Sequence, residues 1–122
     1  MKRRQQAEEP DSERGSGTVL AAGLGMVVIL AMSMLLLLAQ SAVMASKAAA
    51  AADLAALAAA DALRGVTAGE PCILAAEVAG RHGARLLSCA EEGGQSVEVH
   101  TQLTAGTILG SAAGRARAGP PP

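Results

Sequence analysis

The longest pattern in the chain is a block of apolar positions without charge. No Asp, Glu, Lys or Arg occurs from Gly15 to Ser46, and Ser33 alone interrupts the apolar run from Met26 to Leu38. A helix over this block is about 46 Å long, whereas the hydrocarbon core of a bilayer is about 30 Å thick. A soluble chain of 122 residues has too few other apolar elements to surround such a helix on every side. The pattern therefore predicts a transmembrane helix.

The sequence favours an uninterrupted helix from Lys47 to Arg64, directly after the apolar block. Alanine is the strongest helix former, and neither Gly nor Pro occurs in this segment. We therefore expect the apolar helix to continue into it and to end at Gly65, a residue type preferred just after a helix. Leu54 and Leu57 form a narrow stripe that either docks on the chain's own domain or begins an intermolecular coiled coil. Two leucines fall short of three heptads, which favours docking.

A small α+β unit is predicted after this helix. Pro71 suits the first turn of a helix, which is expected to run to about His82 and to stop at Gly83. Two strands, Ala84 to Ala90 and Ser96 to Leu103, flank a Gly-rich turn. Apolar and polar positions alternate in the second strand, which predicts one buried face. That face consists of Val97, Val99, Thr101 and Leu103. The predicted fold class is α+β, with a long N-terminal transmembrane helix, one short helix and a β-hairpin.

These patterns divide the chain into segments. Residues 1–15 form a polar cytoplasmic leader, disordered up to Arg14, and residues 16–64 form the transmembrane helix with its Ala-rich external continuation. Residues 65–110 form the small external domain, in which Ile108 and Leu109 either add a short edge strand or cover the core. Residues 111–122 are expected to be a disordered tail, whose Arg115 and Arg117 are solvated or attracted to anionic polymers of the cell envelope.

The distribution of Lys and Arg predicts the orientation of the helix. Four such residues precede the apolar block, whereas Lys47 is the only one close behind it. By the positive-inside rule, the N-terminus is cytoplasmic and the C-terminal domain is external. The chain is thus expected to be a single-pass protein of the cell membrane.

Composition excludes several functional classes. The chain has no Phe, Tyr or Trp, and its formal net charge is -1. It therefore lacks the stacking platforms and the positive field that nucleic-acid binding requires. No phosphate-binding glycine loop, Gly-x-Ser-x-Gly elbow, CxxC or HExxH motif occurs, and the adjacent Glu91 and Glu92 lie in a Gly-rich turn where solvation is expected. We expect no catalytic site, no cofactor and no metal.

Both cysteines, Cys72 and Cys89, follow the apolar block. A helix from Cys72 to His82 rises about 15 Å, and a strand returning to Cys89 covers about 17 Å, so both sulfur atoms arrive at the same end of the unit. In an oxidising compartment a disulfide is the expected result. The alternative is a zinc site completed by His82 and His100, but no two of these residues have the short spacing of chelating pairs.

Small residues recur within the apolar block. Gly17, Ala21 and Gly25 are spaced four apart and lie on one helix face, which a second helix can approach closely. The same spacing is equally explained by the abundance of Gly and Ala in transmembrane helices. The residues alone leave both interpretations open.

Two motifs frame the long helix, ERGSGTV at residues 13–19 and AADLAALAAA at residues 51–60. The C-terminal part contributes a third set of residues, named at the end of this paragraph, and the segment ARAGP at residues 116–120. With these motifs the chain resembles the TadE-like proteins of tight-adherence (Flp) pilus loci. More narrowly, it resembles the short TadE/TadG-like family of high-GC bacteria, encoded beside a helicase and secretion genes. The third set comprises Cys72, Gly83, Ala84, Arg85, Leu86 and Cys89.

The resemblance implies a pilin-like fold and a non-enzymatic minor pilin, pseudopilin or membrane-anchored component of a Flp-type pilus or secretion apparatus. It implies cleavage between Gly15 and Ser16 by a prepilin peptidase. It also implies contacts of the apolar helix with other pilin-like or secretion-apparatus subunits. Prepilins carry a glutamate five residues after the cut, a position that Leu20 holds here. An uncharged residue there is easier to insert into a bilayer than a carboxylate.

A secreted protein is the alternative function. Small residues at Val43 and Ala45 suit a signal peptidase, which would release a small disulfide-bonded effector or binding protein beginning at Ser46. Secretory apolar regions run to only about 15 residues, which argues against this cut. An uncut, anchored chain is the third possibility.

Overall fold

The fold combines one long helix with a small helix and a sheet. The computed structural model describes residues 9–106 and 110–121, with side chains from residue 15 onward. The chain consists of two compact units, Met1–Ala39 and Gln40–Pro122. The predicted α+β class and both predicted helices are confirmed, but the sheet has three antiparallel strands instead of a hairpin. The elements are α1 (Glu9–Leu63), α2 (Pro71–Arg81), β1 (Ala84–Glu92), β2 (Ser96–Leu103) and β3 (Ala113–Ala118).

Helix α1 begins earlier than the hydrophobic pattern predicts. It already includes Glu9, so residues 9–14 are helical and the prediction of a disordered leader up to Arg14 was wrong for them. The backbone there joins the first turns of a helix that the apolar block propagates, since extending a helix costs less than nucleating one. Residues 1–8 lie outside the described part of the chain.

The end of α1 is where the sequence predicts it. Gly65 has φ +75°, which a residue without a Cβ adopts at little cost. The amide of Gly65 donates to the carbonyl of Ala62 at 3.0 Å, and that of Val66 donates to Asp61 at 2.9 Å. This Schellman arrangement pairs carbonyls that the helix itself leaves without partners.

The second strand follows its predicted alternation. Val97, Val99, Thr101 and Leu103 are buried, and the polar residues between them are partly exposed. The sheet order is β1-β2-β3, and a bulge at Leu87 interrupts the pairing of β1 with β2. The inner face of the sheet is therefore the apolar face of β2, extended on both sides by its neighbours.

The prediction of a disordered tail from residue 111 was wrong for Ala113–Ala118, which form β3. Gly114, Ala116 and Ala118 are buried there, whereas Arg115 and Arg117 are exposed. The period of two is present in the sequence, but its inward positions are so small that it lacks an apolar signal. Ile108 and Leu109, which were expected to form an edge strand or to cover the core, lie outside the described residues.

The core of the second unit is built mostly from alanine. One face of α1 packs on the inner face of the sheet, together with Ala75 and Ala79 of α2. Leu54 and Leu57 are 41% and 55% exposed, so α1 docks on its own domain as expected, but not through the leucine stripe. Small side chains let a helix approach a sheet more closely than leucines do. The buried residues of α1 in this cluster are Ala48, Ala51, Ala52, Ala55, Ala56, Ala59 and Ala60.

The closest approach of α1 to the sheet is at Ala48. The hydroxyl of Thr101 donates a buried hydrogen bond of 3.2 Å to the Ala48 carbonyl oxygen. Gly114 on β3 faces the same carbonyl, and any Cβ at this position would overlap the oxygen. The contact therefore requires a glycine at position 114 of β3.

Candidate functional site

The first candidate functional surface is the apolar part of α1 in the first unit. Among the described residues, one helix, Gly15–Leu63, is long and apolar enough to span a membrane. The large apolar side chains from Val19 to Leu38 are 40% to 73% exposed. Contiguous exposed apolar surface of this size marks contact with a membrane or with other proteins.

The predicted processing and packing positions lie on this helix. Gly15 and Ser16 are in α1, and a Cβ at Gly15 would meet no atom within 4 Å. Gly17, Ala21 and Gly25 are all exposed, and the space around both glycines is open. A second helix is therefore free to approach the small-residue face, and its use in packing stays a prediction. Ser33, the polar residue within the apolar run, donates its hydroxyl hydrogen to the Ile29 carbonyl of its own helix at 2.8 Å.

The cysteines form the predicted disulfide. Cys72 in the first turn of α2 is bonded to Cys89 of β1, with their Cα atoms 5.8 Å apart. His82 caps the C-terminus of α2, and His100 lies on β2 beside Glu98. The structure thus does not unite these four residues as zinc ligands. No group of three or more His, Cys, Asp or Glu that could hold a metal ion occurs among the side chains that the structure describes.

A polar network covers the outer face of the sheet. Glu98 of β2 accepts bonds from Arg115 of β3 at 2.9 Å and from His100 at 3.0 Å. The Arg115 hydrogen bond is the main cause that holds the pKa of Glu98 below its ordinary value, and the His100 hydrogen bond adds to it. Arg117 binds Glu92 of β1 at 3.1 Å. Both arginines of the supposed tail therefore join strands of the sheet.

The adjacent acidic residues lie on the first strand of the sheet. Glu91 and Glu92 are neighbours on β1, so their side chains leave opposite faces of the strand. Glu92 binds Arg117, and Glu91 is exposed. The two carboxylates are thus directed to different sides of β1, and the absence of a catalytic site stays a prediction.

We expect the stability of the sheet to depend on pH through Glu98. Because folding lowers its pKa, ionised Glu98 stabilises the fold above the unfolded pKa, and this stabilisation is lost as pH falls through the folded pKa. The destabilisation caused by Glu98→Gln should therefore shrink as pH is lowered from neutral through the acid range. Urea titrations followed by the amide NMR signals of β2 measure the free energy of unfolding of the wild type and the variant at each pH.

Glu70→Gln is the control for this pH dependence. Glu70 is exposed and its side chain makes no capping hydrogen bond, so its substitution should cause a small change at every pH. A cost of Glu98→Gln that stays constant from neutral to acid pH would contradict the prediction.

A groove runs between β3 and the exposed flank of α1. Its volume is about 530 Å³, and it is lined by Asp53, Ala56 and Leu57 on α1, by Arg64 directly after α1, and by Ala116–Gly119. Sequence reasoning missed it because the last strand was interpreted as a tail. The signal in the sequence is the alternation of small and basic residues in 113–118, a period of two that is compatible with a strand but has no apolar face.

Comparisons of the chain with protein-family models, with characterised proteins and with solved structures found no match. Its function is therefore inferred from its own residues and geometry.

Proposed function

We propose that the chain is a non-enzymatic, single-pass membrane component of a Flp-type pilus or secretion apparatus, similar to a TadE-like minor pilin or pseudopilin. The observation that carries the proposal is the exposed apolar surface of α1, which is long enough to span a bilayer and belongs to the same helix that anchors the small domain. An apolar helix of this length must be covered by lipid or by other subunits.

The proposed topology places the N-terminus in the cytoplasm and the second unit outside. The concentration of Lys and Arg before the apolar block supports this orientation. The Cys72–Cys89 disulfide supports it independently, because disulfides persist outside the reducing cytoplasm.

The proposed partners are pilin-like or secretion-apparatus subunits that contact the apolar helix. The open face at Gly17, Ala21 and Gly25 supports such contacts, since small residues allow helices to pack closely within a membrane. A prepilin peptidase would remove residues 1–15 and leave the apolar helix whole.

The structural position of the competing cut favours cleavage at Gly15. Ala45 lies inside α1, next to Met44, whose side chain packs against the alanine core. A cut after Ala45 would remove Met44 from that core, whereas a cut after Gly15 leaves every core contact in place. The second unit is thus better suited to stay attached to its helix than to be released at Ser46.

We expect Gly15→Leu to keep the leader on the chain. A prepilin peptidase requires a glycine before the cut, so the wild-type chain recovered from membranes should begin at Ser16 and the variant at its original N-terminus. Intact mass and N-terminal sequencing of membrane and culture-medium fractions measure the outcome.

Gly17→Leu is the matched control for processing. Gly17 also lies exposed on α1 with open space around it, so the variant adds the same apolar side chain two residues away from the cut. It should still be cleaved after Gly15. A soluble species beginning at Ser46 would exclude the pilin-like function and favour the secreted effector or binding protein.

A further inference from the structure

The outer edge of β3 carries backbone groups that no described residue uses. The amide of Leu103 donates to the Ala112 carbonyl at 2.9 Å, which sets the alternation of the β2–β3 ladder. In an antiparallel pair, the backbone N–H and C=O groups of every second residue bond to the adjacent strand. Those of Gly114, Ala116 and Ala118 therefore point toward β2. Ala113, Arg115 and Arg117 therefore direct their N–H and C=O groups away from the sheet, at the regular spacing that another strand would pair with.

The helix side of the groove has a negative charge at one end and a positive charge at the other. Arg64 directly follows α1, and its amide donates to the Ala60 carbonyl at 3.0 Å, which continues the helical geometry by one residue. Asp53, Leu57 and Arg64 are spaced at i, i+4 and i+11, so they lie on one side of the helix. All three are exposed, and neither the Asp53 carboxylate nor the Arg64 guanidinium has an ion-pair partner in the described structure. The two charges are separated by about 16 Å along the axis, with an apolar side chain between them.

We propose that this groove binds an extended segment of a partner polypeptide, which adds to β3 as a fourth, antiparallel strand. Helix α1 runs from Ala48, beside Gly114, toward Arg64, which lines the groove with Gly119. It therefore runs in the same direction as β3, and an antiparallel partner passes Arg64 first and Asp53 last. The partner segment has the pattern acidic-x-apolar-x-basic from its N-terminus. Its acidic and basic residues are about 14 Å apart in an extended strand. This is close to the separation of about 16 Å between Arg64 and Asp53 along the helix axis.

The charges of β3 favour such a partner over a second copy of this chain. Antiparallel pairing of two β3 strands, centred on Ala116, would set Arg115 of one copy opposite Arg117 of the other. Like charges directly opposite each other destabilise a strand pair. A segment with an acidic and a basic end instead meets complementary charges on α1 and pairs with the backbone of β3 in the manner of strand-addition domains.

The test is a binding measurement with two peptides on the full-length chain in lipid nanodiscs. The peptides are TETVTKT, which has the proposed pattern, and TKTVTET, in which the charges are exchanged. Fluorescence anisotropy of the labelled peptides should show that TETVTKT binds about tenfold more tightly, since both end charges become repulsive in the other peptide. Equal affinities for the two peptides, or no binding of either, would overturn the proposal.

A charge exchange on the protein makes the test specific. The double variant Asp53→Lys/Arg64→Glu should prefer TKTVTET, also by about tenfold. Asp61→Lys changes a charge on the same helix but outside the groove lining, and it should keep the wild-type preference. A double variant that still prefers TETVTKT would place the peptide elsewhere.

The backbone of β3 is tested with a matched pair of variants. Both Arg115→Pro and Arg115→Ala lose the ion pair with Glu98 of β2. Only the proline variant also removes an outward backbone N–H, and neither variant removes a backbone bond to β2. The proline variant should bind both peptides less tightly than the alanine variant does. Equal binding by the two variants would overturn strand addition. A dimer in size-exclusion chromatography that Arg115→Pro alone disrupts would assign the edge to a second copy and overturn the proposal as well.

Discussion

Gly114→Ala is expected to lower the free energy of unfolding of the second unit by about 3 kcal/mol. The new Cβ would overlap the carbonyl oxygen of Ala48 and lie 2.6 Å from its carbon. Both atoms belong to the backbone of α1, which cannot turn aside as a side chain can. The helix must move away from β3, and the 3.2 Å hydrogen bond from Thr101 to the same carbonyl is then stretched or lost.

The measurement for Gly114→Ala is the free energy of opening from hydrogen exchange of the β2 amides, in the full-length chain in micelles. Gly106→Ala is the control, because a Cβ at Gly106 meets no atom within 4 Å and its φ is not positive. Where space is open, replacing Gly by Ala is neutral or stabilising by up to about 1 kcal/mol. A Gly114→Ala protein as stable as the wild type would show that α1 and β3 are not in direct contact at this point.

Removal of the Cys72–Cys89 disulfide by Cys72→Ala/Cys89→Ala is expected to cost about 3 kcal/mol. The bond closes a loop with a sequence separation of 17, and the unfolded chain without it has more conformations to lose on folding. The effect is a large share of the stability of this unit, since its core consists mainly of alanine and contains no aromatic side chain.

The same exchange measurement on β1 and β2 amides tests the disulfide, with Ser88→Ala as the control. Ser88 is exposed on β1 next to Cys89, so its substitution should change the stability by less than about 0.5 kcal/mol. Protein isolated from its native envelope should show no thiol that alkylating reagents reach. Two alkylated cysteines would contradict both the bond in the cell and the external location of the second unit.

Several elements could be predicted from the sequence because their causes are local. The uncharged run from Gly15 to Ser46 and the alanines after it predict one helix, since hydropathy and helix propensity depend on neighbouring residues. Gly65 marks the end of that helix because the turn there requires a positive φ. The alternation in β2 predicts its buried face for the same local reason. The disulfide followed from the lengths of α2 and β1, which return both cysteines to one end of the unit.

Other features depend on which surfaces meet, and only the tertiary structure decides them. The sequence predicts that Leu54 and Leu57 mark the contact face of α1, yet buried alanines fill it. On this face the backbone of α1 comes close enough to the sheet for the Ala48 carbonyl to meet Gly114 and Thr101. Strand β3 has only glycine and alanine on its inner face, so β2 and α1 make it a strand, and its own hydrophobicity does not. The groove forms only when β3 lies beside α1, because Asp53, Leu57 and Arg64 make up one side of it and β3 makes up the other. Propensity acts between residues that are neighbours in the chain, whereas burial is determined by the surface that a residue meets after folding.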